Sequence, residues 1–258
     1  MPNVPTQLLG KYLYGHDQRP QSDKDLPEYE PDKEGPVIKI SISDALRNQH
    51  ERIVRRRYAK TTVHEYLEQL SDEVPRDKYI KFYEEHPYFT QVCAGAKHHH
   101  HWIGGLHQHV CEMMGIMLDI KDLYRGDLEG RLTKDDIIIA CFLHDFAKIW
   151  QYELISDEDR DKNPYKYKEV QTFKVVYGAF DIIDAESKTL LELSKYGITP
   201  TERQWSAVLF HEGGFSEAGF GFGGPNKTLD TVYSHNPLAV LINMADMYSS
   251  QILGGSIA

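Results

Sequence analysis

The chain of 258 residues carries a formal net charge of -10 and a pI near 5.7, which argues against a broad polyanion-binding surface. Hydrophobic residues make up 41% of it, enough to bury the core of one large domain or two small ones. No apolar run approaches the roughly 18 residues of a membrane span, and Cys93, Cys111 and Cys141 lack CxxC spacing, so the expectation is a cytoplasmic protein with reduced thiols and no membrane partner.

Residues 1–36 are rich in Pro, Asp, Glu, Lys and Tyr without periodicity and read as an extended arm around the core or a neighbouring subunit. Val37 to Ile42 alternates like a short strand, and Ser43 offers an N-cap for a long helix through Arg47, Arg55 and Tyr66 to about Leu70. Arg52, Arg55, Arg56 and Arg57 on that helix suit a solvated face or a phosphate or subunit contact. Pro75 breaks it, and a second helix runs from Arg76 to about His86, so that 37–90 forms a helical region packing on the core. A histidine-rich turn, His98 to His101, leads through Trp102-Ile103-Gly104-Gly105 into a helix from Leu106. On it His109, Met113, Ile116, Met117 and Ile120 share one face, and Gly126 ends it.

The central helix is expected over about 134–149, with Asp135 and Asp136 in its first turn. Trp150 to Leu154 and Tyr165 to Val176 suit a β-hairpin around a charged loop, 157–162. Helices follow over about 182–193 and from Pro200 or Thr201 to His211. A Gly- and Phe-rich loop, 213–227, separates them from a last helix that starts near Asn236-Pro237. No internal repeat is present. The fold class is all-α with a small β-hairpin insertion, and 91–258 form one domain.

The segment Leu143-His144-Asp145-Phe146-Ala147-Lys148 closes the apolar run Ile137 to Phe142. A carboxylate at the end of such a run is partly desolvated, which is costly unless a cation compensates. His109 lies on an apolar helix face, and Asp246 sits in the apolar run Leu241 to Met247. Each alone has an ordinary explanation, as a satisfied core histidine or a salt-bridged acid. Together, three apolar helices each bring imidazole or carboxylate donors. That set suits Mn, Fe, Co, Zn or Ni without selecting one, and also admits Mg. It implies no sulfur ligand, which argues against a structural zinc site.

His109, the pair His144-Asp145 and the distant Asp246 resemble the signature of the HD-domain metal-dependent phosphohydrolase superfamily. His99-His100 before Trp102-Ile103-Gly104-Gly105-Leu106 and His109 is similar to the entry motif of its branch of 3'-to-5' exoribonucleases. Phe210-His211-Glu212-Gly213 and Ala245-Asp246-Met247 follow in that branch's order, so the likeness runs over about 95–252. The resemblance implies an HD helical bundle, metal ligands His109, His144, Asp145 and Asp246, and hydrolysis by a metal-activated water. Asp145 would also orient a proton of that water, Lys148 would reach the phosphate, and His211 or Glu212 would protonate the leaving oxygen.

The departures matter as much. Tyr177-Gly178-Ala179-Phe180 stands where that branch has a further histidine, and His211-Glu212 where it has two histidines. One tightly held metal is therefore expected, with His99, His100 or His211 as donors to a second metal or to phosphate. The first 90 residues lack the alternating strands of the barrel domain that accompanies those exonucleases. With the negative charge, this favours a mononucleotide substrate, either a nucleoside monophosphate or a dNTP. The alternatives are a 3'-to-5' exonuclease on RNA or single-stranded DNA, hydrolysis of a signalling nucleotide, and an HD protein that binds a nucleotide without turnover. Gly219 to Gly224 satisfies GxGxxG but lacks the preceding strand of a dinucleotide fold. It reads instead as a lid whose Phe215, Phe220 and Phe222, with Trp102, would stack on a base. The arm suggests a homo-oligomer.

Overall fold

The computed structural model describes residues 61–96, 99–162, 172–213 and 225–254, with the side chains of 225–228 excepted. The expected arm, strand 37–42, basic cluster and Phe-rich lid lie outside those residues. The helix expected to run unbroken to Leu70 does not: Thr62 is extended and starts a fresh helix, α1 (Val63–Leu67). Its side chain accepts from the Glu65 backbone N–H while the Glu65 carboxylate accepts from the Thr62 N–H, so two orphan donors are satisfied at once. The same reciprocal cap opens α5 (Lys134–Leu143) at Thr133 and Asp136, and α9 (Glu202–Leu209) at Thr201 and Gln204. Asp136 also accepts from Gln204 at 3.0 Å, so the starts of α5 and α9 are tied side by side.

Between α1 and α5 lie α2 (Arg76–Glu84), a 3-10 turn (Pro87–Thr90), α3 (Gly105–Leu123) and the short α4 (Arg125–Leu128). Gly126 was expected to end α3; the helix instead stops at Leu123, and Gly126 lies inside α4. Every residue of α5 from Asp136 to Leu143 is buried, and the helix packs against α3, α9, α1 and α11 (Pro237–Tyr248). It is the axis of the bundle because no face of it tolerates water.

α5 was expected to reach residue 149 but ends at Leu143. Three-residue hydrogen bonds then tighten the chain, from Phe146 N–H to Leu143 O, Lys148 N–H to Asp145 O and Ile149 N–H to Phe146 O, before α6 (Lys148–Gln151). Phe142 and Phe146 flank this turn in an aromatic cluster with Phe82 and Phe89, at ring separations of 4.6 to 6.0 Å. That cluster anchors the turn from both sides of His144 and Asp145.

The hairpin is present but short: β1 (Tyr152–Leu154) pairs antiparallel with β2 (Phe173–Val175), Glu153 opposite Lys174. The charged segment expected as a loop is a helix, α7 (Asp157–Lys162), with no buried residue and capped by Ser156. It has no apolar periodicity, which is why the pattern hid it. α8 (Ala185–Lys195) follows, capped by Asp184. α9 stops at Leu209 rather than His211. α10 (Pro225–His235) begins inside the expected Phe-rich loop, with Pro225 at its first position. Asn236 caps α11, which continues into a π-helical turn, Ser249–Leu253. No helix among the described residues is long and apolar enough to cross a membrane, and the three cysteines are buried thiols.

Candidate metal centre

α3 carries His109, the turn that follows α5 carries His144 and Asp145, and α11 carries Asp246. Packing of these three helices brings the four side chains together. His109 Nε2 lies 3.2 Å from His144 Nε2, 3.2 Å from Asp246 Oδ1 and 3.7 Å from Asp145 Oδ2, and His144 Nε2 lies 3.3 Å from Asp145 Oδ2. All but Asp246 are buried, and that residue is mostly covered. His109, His144 and Asp246 form a group able to hold a metal ion.

The donor inventory supports that fit. His144 Nδ1 lies 2.8 Å from Cys141 O, so this nitrogen carries the proton and Nε2 presents a lone pair. Two carboxylates and this lone pair therefore surround His109 Nε2, a clustering of acceptors that calls for a cation. Two ligands on one ion at about 2.1 Å sit about 3 to 3.4 Å apart, the spacing of His109 to His144 and to Asp246. His99, His100 and His109 form a second such group, with His99 Nδ1 at 3.3 Å from His100 Nδ1. The two groups share His109, whose Nε2 faces the first and whose Nδ1 is 2.9 Å from Ser249 Oγ.

Electrostatics agree with burial in a charged pocket. Burial would raise the Asp145 pKa, but Lys148 and His144, with His211, outweigh it and hold the carboxyl well below the ordinary range. Asp246 is likewise held low, against burial, chiefly by His109. Burial pushes His109 down to about 4, and it pushes His99 to about 2 with help from His109 and Lys148. His211 goes the other way: burial disfavours its charge, yet the Asp145 and Asp246 carboxylates carry it up to about 9.

Lys148 Nζ sits 2.9 Å from Asp145 Oδ2. The three-residue hydrogen bonds of the turn explain the pairing, because tightened winding stacks side chains i and i+3. His211 Nδ1 is 2.6 Å from Val208 O, which aims Nε2 at Asp145 Oδ1, 3.7 Å away. Gly213, at φ +61°, lets the chain turn there, while Asn243 Nδ2 holds the His211 carbonyl at 2.7 Å.

Two clefts meet at this centre. One, of about 470 Å³, is bounded by Lys148, Gln151, His211, Glu212 and the segment Phe180 to Glu186. The other, of about 610 Å³, reaches past His99, Tyr233, Asn243, Asp246 and Gln251. Glu212 is exposed and lines both.

The expected site residues thus fall in one place, with one correction. Trp102 cannot stack on a base: it is 2% exposed, and its indole N–H donates to Gln108 Oε1. Phe220 and Phe222 lie outside the described residues. His100 is fully buried, with Nε2 3.1 Å from Glu112 Oε2. Glu112, Gln108 and Ser249 were not foreseen. Glu112 had a visible signal, a lone acid within Val110-Cys111-Glu112-Met113-Met114; Ser249 had none, because only the π turn carries it under His109.

Comparison of the chain with protein-family models, with curated proteins and with solved structures gives no match.

Proposed function

We propose that the protein is a metal-dependent phosphohydrolase of the HD type, cleaving the phosphate ester or anhydride bond of a mononucleotide. The observation that carries this reading is the convergence of His109, His144, Asp145 and Asp246 at two open clefts, with Lys148 on the Asp145 carboxylate. His109, His144, Asp145 and Asp246 would hold a divalent ion, which when bound would acidify a water and polarise the phosphoryl oxygen.

The chain's own groups would supply the rest. Asp145 would orient the attacking water through the oxygen it does not share with Lys148. Lys148 would offset charge on the phosphoryl oxygens, a preorganised role whose loss costs about 100-fold in rate for comparable donors. His211, whose Nε2 lies 3.7 Å from Asp145 Oδ1, would be a proton source for the leaving oxygen, and exposed Glu212 at the mouth of both clefts is the alternative.

A mononucleotide is favoured over a polynucleotide by the rim. Asp181, Asp184, Glu186 and Glu212 line the clefts, and Lys148 is the only lysine or arginine among the described lining residues. A backbone-tracking groove needs several cations.

The test is phosphate release from nucleoside monophosphates and dNTPs by protein loaded in turn with Mn, Co, Mg, Zn and Ni, beside a labelled oligonucleotide and Asp145→Ala. Release from a mononucleotide that is lost in the variant supports the proposal. Shortening of the oligonucleotide alone makes the protein an exonuclease, and no turnover on any substrate removes the enzymatic reading.

A further inference from the structure

Next to His109, one fully buried carboxylate collects three donors. Glu112 Oε2 accepts from Ser249 Oγ at 2.8 Å and lies 3.1 Å from His100 Nε2, while Oε1 accepts from Gln108 Nε2 at 2.9 Å. Burying a carboxylate is costly without partners; these three offset that cost and fix the orientation of the group.

What depends on it is one step away. Ser249 Oγ is 2.9 Å from His109 Nδ1, and a serine hydroxyl has a single proton. With that proton donated in a hydrogen bond to Glu112, the hydroxyl can only accept from His109 Nδ1–H. His109 is then obliged to present the lone pair of Nε2, the atom that faces His144 and Asp246. The backbone keeps this arrangement in place. His100 adopts φ +44°, donates its N–H to Gly254 O, and leaves no room for a Cβ at either Gly105 or Gly254. The π turn that carries Ser249 is thereby pinned to the segment that carries His100.

We infer that Glu112 is the positioning residue of the centre, acting through Ser249 to hold the His109 proton on Nδ1 and aim Nε2 at the ion. This rests on the metal-centre reading above. Outer partners of this kind typically change metal affinity by about 10- to 100-fold when removed.

The test uses full-length protein substituted with Co²⁺ and compares wild type with Glu112→Gln, Ser249→Ala and the double variant. Two readouts are taken: the Co²⁺ dissociation constant, and the hyperfine-shifted exchangeable N–H resonances of the ligand imidazoles. Wild type should show two slowly exchanging signals, from His109 Nδ1–H against Ser249 and from His144 Nδ1–H against Cys141 O. Each single variant should weaken Co²⁺ binding by about 10- to 100-fold. Each should also lose or speed the exchange of one signal and keep the other, which a merely structural defect would not do selectively. The double variant should bind no worse than the weaker single, because both act through one path. Both signals unchanged, with affinities within twofold of wild type, would overturn the positioning role and leave the metal centre standing. No Co²⁺ binding by wild type would overturn the metal centre itself and this inference with it.

Discussion

At the scale of single residues, His109 and His211 respond to pH in opposite senses because burial prevails at His109, whereas the Asp145 and Asp246 carboxylates outweigh burial at His211. His109 falls to about 4 in the folded, ion-free protein from an ordinary 6.5. Between those values the unfolded chain binds the proton more readily, so stability is lost as pH falls through that window. His211 rises to about 9, so its contribution is complete below 6.5 and is lost as pH rises through 9. Each effect is on the order of 3 kcal/mol at most. The ion-free protein should therefore show its highest urea midpoint near pH 6 to 7 and a fall on either side. Ion binding draws on the Asp145 charge that supports His211, so the alkaline fall should shrink with metal present. A midpoint that stays flat from pH 5 to 9 without metal would contradict this. Lys148→Met removes the cation beside Asp145 while keeping most of its apolar bulk. It should lower kcat by about 100-fold while the fold survives, as circular dichroism and steady-state kinetics would report.

At the scale of elements, the turn after α5 depends on the aromatic cluster beneath it. Phe146 is fully buried, with Phe82 at 4.6 Å and Phe89 at 5.5 Å between ring centroids. Phe146→Ala should cost about 3 to 5 kcal/mol in a denaturant titration. Because Phe146 follows Asp145 directly, metal affinity should fall as well; a loss below 1 kcal/mol would show that the turn stands without its anchor. Thr133→Ala should cost about 1 kcal/mol by removing one arm of the α5 cap. Helix cores were legible: α3, α9 and α11 lie where apolar periodicity placed them, and α5 where its unbroken apolar run did. Their ends were less so. The stop at Leu143 follows from tertiary packing of Phe142 and Phe146, and α7 is held by Ser156 and by Lys174, which pairs with both Glu153 and Asp159. Neither cause has a periodic signature.

At the scale of the whole molecule, the His/Asp cluster was readable because each member violates the chemistry of its surroundings. A His-Asp pair ending an apolar run, a histidine on an apolar face and an aspartate in an apolar helix each demand a partner, and helix packing brings those partners together. Glu112 obeyed the same rule and could have been found the same way. Ser249 could not, because its role comes from the backbone of a π turn. The clefts were not legible: the segment Phe180 to Glu186 that bounds one of them carried no motif, while Trp102, which matched one, is buried. The central claim is that His109, His144, Asp145 and Asp246 form one divalent metal centre. Its most direct test is the metal content of purified protein, with a Co²⁺ titration of the metal-free form, for wild type, His109→Ala and Asp246→Ala. One ion held tightly per chain in wild type, and its loss in both variants, is the predicted result. A wild type that binds no divalent ion, or variants that bind as wild type does, would contradict it.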